Sequence, residues 1–362
     1  MSDRVDIAVV GAGAAGIAAA LSAARAGAKT LLIDKNSAVG GTGGFSGLTT
    51  ICGLFDDSGE FLNDGFAREF VEALQEEPPM RMGKVWVLRY RPEKFREVAG
   101  DLILKSSQLQ LWWNTAIGDA MLDGNRLVRL SGVEVGAVID CSGTAEVARL
   151  VGAECLATDE TTQASAIVFP LCNVTREFGT TAEAAQVLLP LARAGFPPLS
   201  LQPGLDANTL TAKFTGSVDQ VGPLLAFLRK SVNGFETCAT PVTEFIPARR
   251  AGRMIVGQYV LTGKDVLAGR KFPDAVAMCA WPIEQWGRDG VARFKYLPTG
   301  THYDIPARCL RAARIDNLFM AGKTISADVE AIASARVMGC CLATGAAAGN
   351  LAAAYIQSER TR

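Results

Sequence analysis

Three glycines and one acid carry the most specific chemistry in this chain: Gly11, Gly13 and Gly16 in Gly-x-Gly-x-x-Gly spacing, and Asp34 eighteen residues further on. The first glycine of such a set allows a tight turn, the second lets backbone approach a pyrophosphate, and the third brings a helix close to a strand. The helix start then offers unpaired N–H groups and a positive dipole end to phosphate oxygens. Asp34 is placed to accept from ribose hydroxyls, and its charge disfavours a 2′-phosphate. A second cluster, Gly40-Gly41-Thr42-Gly43-Gly44, offers close backbone approach to a ligand already seated on the first.

Fewer residues offer proton transfer or substrate binding. His302 is the one histidine in the chain, and its titration range suits a proton relay. That scarcity excludes a zinc site needing two imidazoles, and no metal site is expected. Tyr303 and Tyr259 each have a hydroxyl for a substrate oxygen, with packing the alternative role for both. Arg249-Arg250-x-x-Arg253 puts three guanidiniums close enough to clamp a carboxylate, with a solvated charged face as the alternative. His302, Tyr303 and Arg250 are the catalytic candidates. Arg336 lies in an apolar, small-residue segment where an unpaired charge is costly, so it should pair with an acid such as Glu330 or contact a cofactor or substrate. Cys52 follows the second glycine cluster and has no partner at dithiol spacing, which favours a small buried side chain over a redox role.

The elements that must position these groups are legible around the glycines. Val5–Val10 is a near-continuous apolar run of the kind found in strands buried on both faces. An Ala-rich helix, Ile17–Ala26, and a second apolar strand, Thr30–Ile33, follow it. Strand, glycine turn, helix and strand within about thirty residues supply the context that a glycine motif needs. Residues 60–112 read as largely helical, with an apolar face on Phe66–Leu74. Ala137–Asp140 reads as a strand running into Cys141-Ser142-Gly143-Thr144, and Glu146–Leu150 as a helix start. Within 155–300 the pattern changes: Ala166–Phe169, Thr209–Gly216 and Met254–Leu261 read as strands around the helix Ala182–Ala194 and the segment Val218–Val232. Leu318–Gly322 returns to strand-then-glycine, and Ala335–Tyr355 reads as one long small-residue helix.

Bulk composition narrows the function classes. With 36 basic and 37 acidic residues the formal net charge is -1, which gives nucleic acid no electrostatic purchase. The apolar stretches 7–33 and 337–356 are rich in Ala and Gly and read as buried helices rather than membrane spans. The nine cysteines form no Cys-x-x-Cys and read as buried, reduced thiols. Together with a strand that begins at Val5, they point to a cytoplasmic protein without a secretory leader. A mean hydropathy of +0.19 allows a homodimer.

The motifs are similar to those of the FAD-dependent oxidoreductase group of the glutathione-reductase-2 superfamily. Beyond Gly11-x-Gly13-x-x-Gly16 with Asp34 and the Gly-Gly-Thr loop at 40–42, the resemblance covers Ile51–Phe55, Val138–Thr144, Gly257–Thr262, Tyr303–Pro306, Asp316–Gly322 and Ser334–Met338. It implies an α/β fold: a Rossmann-like FAD-binding domain over 1–154 and 301–362, with an inserted α+β substrate domain over 155–300. It also implies an extended FAD. The ADP half would lie on Gly11, Gly13, Ala14, Ala15 and Gly16, with Asp34 and Lys35 at the ribose. Gly41 and Thr42 would run beside the ribityl and flavin, and Ser142-Gly143 beside the adenosine end. Gly322 and the segment Arg336-Val337-Met338 would close over the ribityl and pyrimidine edge. Two positions depart from the pattern: Lys323 stands where relatives often carry an acidic or polar residue, and Gln285-Trp286 where they often carry histidine.

The reading this supports is an FAD-dependent oxidoreductase that takes a hydride from a small organic substrate and passes the electrons to an external acceptor or partner protein. A polypeptide substrate stays open. The rival enzymatic readings are a flavin monooxygenase using NAD(P)H and oxygen, and a group-transfer enzyme that consumes the nucleotide. A third is a non-catalytic subunit that holds FAD for electron transfer. No second glycine fingerprint follows a strand, which disfavours a dedicated nicotinamide domain.

Overall fold

The apolar run at the N-terminus forms the central strand of the molecule. In the computed structural model, which describes residues 4–176 and 181–361, strand β1 (Arg4–Val10) pairs in parallel with β2 (Thr30–Ile33) on one side and Val133–Asp140 on the other. Thr30–Ile33 pairs in turn with Leu109–Trp112, and Leu318–Met320 pairs with the end of Val133–Asp140, all parallel. An antiparallel pair, Ala120–Asp123 and Arg126–Leu130, completes a seven-stranded sheet. Ile7 and Val9 enter one hydrophobic core while Ala8 and Val10 enter another, so the strand is buried on both faces as the unbroken apolar run requires.

Five parallel strands end at one edge of this sheet, at Val10, Ile33, Trp112, Asp140 and Met320. Ligands of open parallel sheets bind beyond that carboxyl edge. Buried Asn317 ties the returning strand into place: its Nδ2 donates to Leu127 O and Gly136 O, and its Oδ1 accepts from Leu127 N. Each bond satisfies a buried backbone group whose orphaning would cost about 1–3 kcal/mol.

Helix α1 (Ala14–Arg25) lies on the sheet and is crossed by the last helix, Met338–Thr361. The two approach backbone to backbone. A Cβ on Gly345 would overlap Ala15 O, and one on Gly349 would overlap Ala19 O. This is the physical reason for the small-residue sequence of the last helix. It is long and apolar enough to cross a membrane, but 67% of its most apolar window is buried within the protein.

Residues 167–238 build a separate core around a three-stranded antiparallel sheet, ordered Ile167–Leu171, Leu210–Phe214, Leu199–Pro203. The helices Thr181–Arg193 and Val221–Ser231 accompany it. Met254, Leu261, Val266, Cys279 and Ile283 pack instead into the main core beside α1 and the last helix. The chain is thus a Rossmann-type α/β domain carrying an α+β lobe.

Three local expectations are corrected. The span 60–112 is not largely helical: between the helices Phe66–Leu74 and Pro92–Leu104 sits a hairpin, Met80–Met82 with Val85–Arg89, turned on Gly83-Lys84. The strand foreseen over Met254–Leu261 covers only Gly252–Ile255. The helix foreseen over Ala335–Tyr355 begins later, as Met338–Thr361, and a separate helix, Val329–Ala335, precedes it with Arg336 and Val337 in the break.

The helix contact yields a prediction. Gly345→Ala should cost about 1–3 kcal/mol by forcing α1 and the last helix apart, whereas Ala354→Ser, on the exposed face, should stay within about 0.5 kcal/mol. Thermal unfolding of the two variants measures the difference.

Candidate functional site

The carboxyl edge of the parallel sheet opens into a cavity of about 520 Å³. At its start Gly11 turns off β1 with φ of 100°, a conformation suited to glycine, and a Cβ there would meet Cys141 O at 2.5 Å. Gly16 lies behind the loop rather than on the cavity wall, and a Cβ on it would overlap Gly11 O. Gly13 caps α1 with no side-chain partner for the first N–H groups. A Cβ built on Gly13 meets nothing nearer than Gly41 Cα at 3.9 Å, so the space in front of the loop is open. Gly41 opens a short helix, α2 (Gly41–Phe45), and passes so close to Gly13 that a side chain on it would meet the Gly13 backbone.

Asp34 plays two parts. Its Oδ2 accepts from Ala12 N at 2.5 Å and its Oδ1 from Asn36 N at 2.8 Å, so the acid braces the glycine loop while lining the cavity. Ile33, Lys35, Asn36, Thr115 and Ile117 form the wall beside it. Across the sheet edge stand Ser142 and Gly143, followed by Gly322 and Lys323. Lys323 runs beside Gly143 and donates to Arg249 O at 3.1 Å. Burial, reinforced by Arg336, pushes its ammonium down to about 8.

The far end of the cavity is lined by Thr50, Cys52, Lys213, Ala248–Arg250, Glu284, Arg336, Val337 and Met338. Arg250 is buried, stacks over Trp286 at 4.1 Å from the ring centre and donates to Ala164 O. Burial and the neighbouring Arg336 bring its guanidinium down to about 10. Glu284 accepts from the indole N–H groups of Trp281 at 2.9 Å and Trp286 at 2.7 Å. Burial opposes its charge, but Lys213, Arg336 and those two bonds outweigh it and hold the carboxyl below its usual range. Burial pushes the Cys52 thiol up to about 12, so it stays protonated.

Most of the foreseen cofactor residues meet at this cavity: Gly11, Gly13, Ala14, Ala15, Asp34, Lys35, Gly41, Thr42, Ser142, Gly143, Gly322, Arg336, Val337 and Met338 all line it. The foreseen catalytic trio does not assemble. Arg250 lines the cavity, but His302 and Tyr303 are absent from its wall. His302 sits near Lys271 and Asp304, where burial and the Lys271 charge lower its pKa. Tyr303 is fully buried in the main core, its hydroxyl 2.7 Å from Ser334 Oγ. Tyr259 donates instead to Asp265. Of the three clustered arginines, Arg253 faces solvent on its strand. Arg336 does not pair with Glu330, which is held by Lys295. It donates to Gln163 Oε1 at 2.9 Å and Glu284 O at 3.3 Å, and its Nε is buried without a partner.

Lys213 and Glu284 are functional candidates that motif reading missed. The signal for Lys213 was present. In Leu210–Phe214, the residues Leu210, Ala212 and Phe214 face the core of the lobe, and period-two alternation turns Thr211 and Lys213 the other way. The bond between Thr211 and Thr49 hydroxyls, 2.8 Å, marks that second face as the one against the main domain.

An open glycine cradle at a bare helix start, a strand-end acid beside it and a cation at the sheet edge form a donor set that fits FAD. The sequence agrees: residues 6–362 match the family described as FAD dependent oxidoreductase, and the chain belongs to it. Its cofactor is FAD. GidA from Aquifex aeolicus shares the fold at 15% identity and a TM-score of 0.51, over 98% of this chain and 64% of that one. This chain therefore spans just under two thirds of GidA. A geranylgeranyl bacteriochlorophyll reductase-like protein from Thermoplasma acidophilum aligns at 13% identity and a TM-score of 0.50, over 99% of this chain and 80% of that one. A triple mutant of the flavin-dependent brominase Bmp2 gives 11% and 0.50, over 98% and 81%. No curated protein matches the sequence.

Lys323 supplies a test of the cradle. A dianionic pyrophosphate favours the charged ammonium, so its pKa rises when FAD binds. Its contribution to affinity is fully present below about pH 8 and is lost as pH climbs through the raised value in the complex. FAD binding, followed by quenching of flavin fluorescence, should be level from mildly acidic pH to that point and weaken above it. Lys323→Met should bind about tenfold more weakly with no such bend.

Proposed function

We propose that this protein oxidises a small organic molecule at a C–H, C–N or C–O bond and delivers the electrons to an external acceptor. The observation that carries this reading is one continuous cavity, running from Asp34 past the glycine loop to a chamber between the main domain and the lobe. When bound, FAD supplies a hydride acceptor. Gly11, Gly13, Asp34, Gly41, Ser142, Gly143, Gly322 and Lys323 would hold it.

The chain's own side chains shape the chamber. Lys213 from the lobe and Arg250 from the segment that follows it line the chamber together with Val337 and Met338. The Trp286 indole gives Arg250 a flat support, which limits its motion. Glu284 is fixed by two indole N–H groups and stays ionised, so its part is to position cations rather than to take a proton at neutral pH. Protonated Cys52 adds no negative charge and no dithiol chemistry.

Anaerobic addition of substrates to the FAD-loaded protein tests the reaction type. An organic alcohol, amine or hydroxy acid should bleach the flavin bands without any nicotinamide. Rapid bleaching by NADH or NADPH, with product appearing only when oxygen is admitted, would replace this reading with a monooxygenase.

A further inference from the structure

We infer that the chamber at the lobe end of the cavity binds a carboxylate, and that the substrate is an organic acid anchored by Lys213, Arg250 and Arg336. The inference rests on the reading of that chamber as the substrate site. Four cations line it, exposed Arg249 and the more buried Lys213, Arg250 and Arg336, against a single carboxylate, Glu284. Glu284 is already engaged by two indoles, and the neighbouring thiol is neutral. Uncompensated charge in a place sheltered from water is costly, so the arrangement is balanced only when an anion enters.

The donors of these cations remain largely unused. The Lys213 ammonium makes no hydrogen bond to any described residue and stands 5.3 Å from the Trp286 ring centre. Arg250 uses one of its five N–H groups, on Ala164 O. Arg336 Nε is shielded from solvent and unpartnered. Planar guanidinium edges and an ammonium in one chamber are the donor set for a carboxylate. Leu48, Val337 and Met338 provide apolar wall for the carbon skeleton.

The cations also come from the right part of the chain. The phosphate cradle belongs to the parallel sheet and has its own cation in Lys323. Lys213, by contrast, projects from the middle strand of the lobe, and Arg250 follows the lobe in sequence.

Matched pairs of probes test this on FAD-loaded protein: benzoate against benzamide, and butyrate against butyramide. Binding is read from the fluorescence of Trp281 and Trp286 beside the chamber and from shifts in the flavin bands. The acids should bind at least about tenfold more tightly than their amides. Lys213→Met should remove most of that preference while leaving FAD content and melting temperature unchanged, and Lys213→Arg should restore part of it. Arg250→Gln provides a second, independent loss.

Equal binding of acid and amide would overturn the inference. So would an unchanged preference in both variants, loss of FAD rather than of the carboxylate, or inorganic phosphate binding more tightly than the acids. The outcome is separable from that of the reaction type. Carboxylate preference without flavin bleaching by any substrate sinks only the oxidation reading, and bleaching by neutral alcohols or amines alone sinks only the carboxylate.

Discussion

The structure depends on how closely the start of α1 is seated against the carboxyl edge of the sheet. Gly16 has no side chain, so its backbone rests on Gly11 O, and the helix begins where β1 ends. The last helix then locks α1 from above through Gly345 and Gly349. With both contacts made, α1 begins at the crevice lined by Val10, Ile33, Cys141 and Gly322. Asp34 reinforces the same geometry by accepting from Ala12 N. The acid that lines the cavity is also the clamp that holds the glycine loop in shape.

A second constraint acts at the other end of the cavity. The lobe contributes charge rather than closure alone: Lys213 from its middle strand and Arg250 from the segment that leaves it. Arg336 enters from the main domain through the break between the last two helices. Glu284 accepts from the two indoles, and the Trp286 ring lies beneath both Lys213 and Arg250. The chamber therefore joins an apolar wall to an excess of positive charge, which is an unusual combination for a surface sheltered from water.

The cradle was legible in the sequence because its physics demands particular residues at fixed spacing: glycines where backbones touch, an acid where a strand ends. The far end was legible only in part: Arg250 and Arg336 stood out as charges in need of a partner, whereas Lys213 and Glu284 come from distant segments and share no motif with them. His302 drew notice through scarcity alone, and scarcity says nothing of location. The hairpin Met80–Arg89 was hidden inside a stretch with helical neighbours, although Gly83-Lys84 is a two-residue turn of the kind that joins paired strands. The break at Arg336-Val337 carries no local signal. Tertiary contact sets it there, where Gly339 packs directly on the Gly53 backbone.

The most direct test of the account is the visible spectrum of the purified protein, recorded before and after acid precipitation. The account predicts two flavin bands and release of close to one FAD per chain. A colourless protein that also fails to take up added FAD would contradict it, because the glycine cradle, Asp34 and Lys323 would then be serving some other ligand.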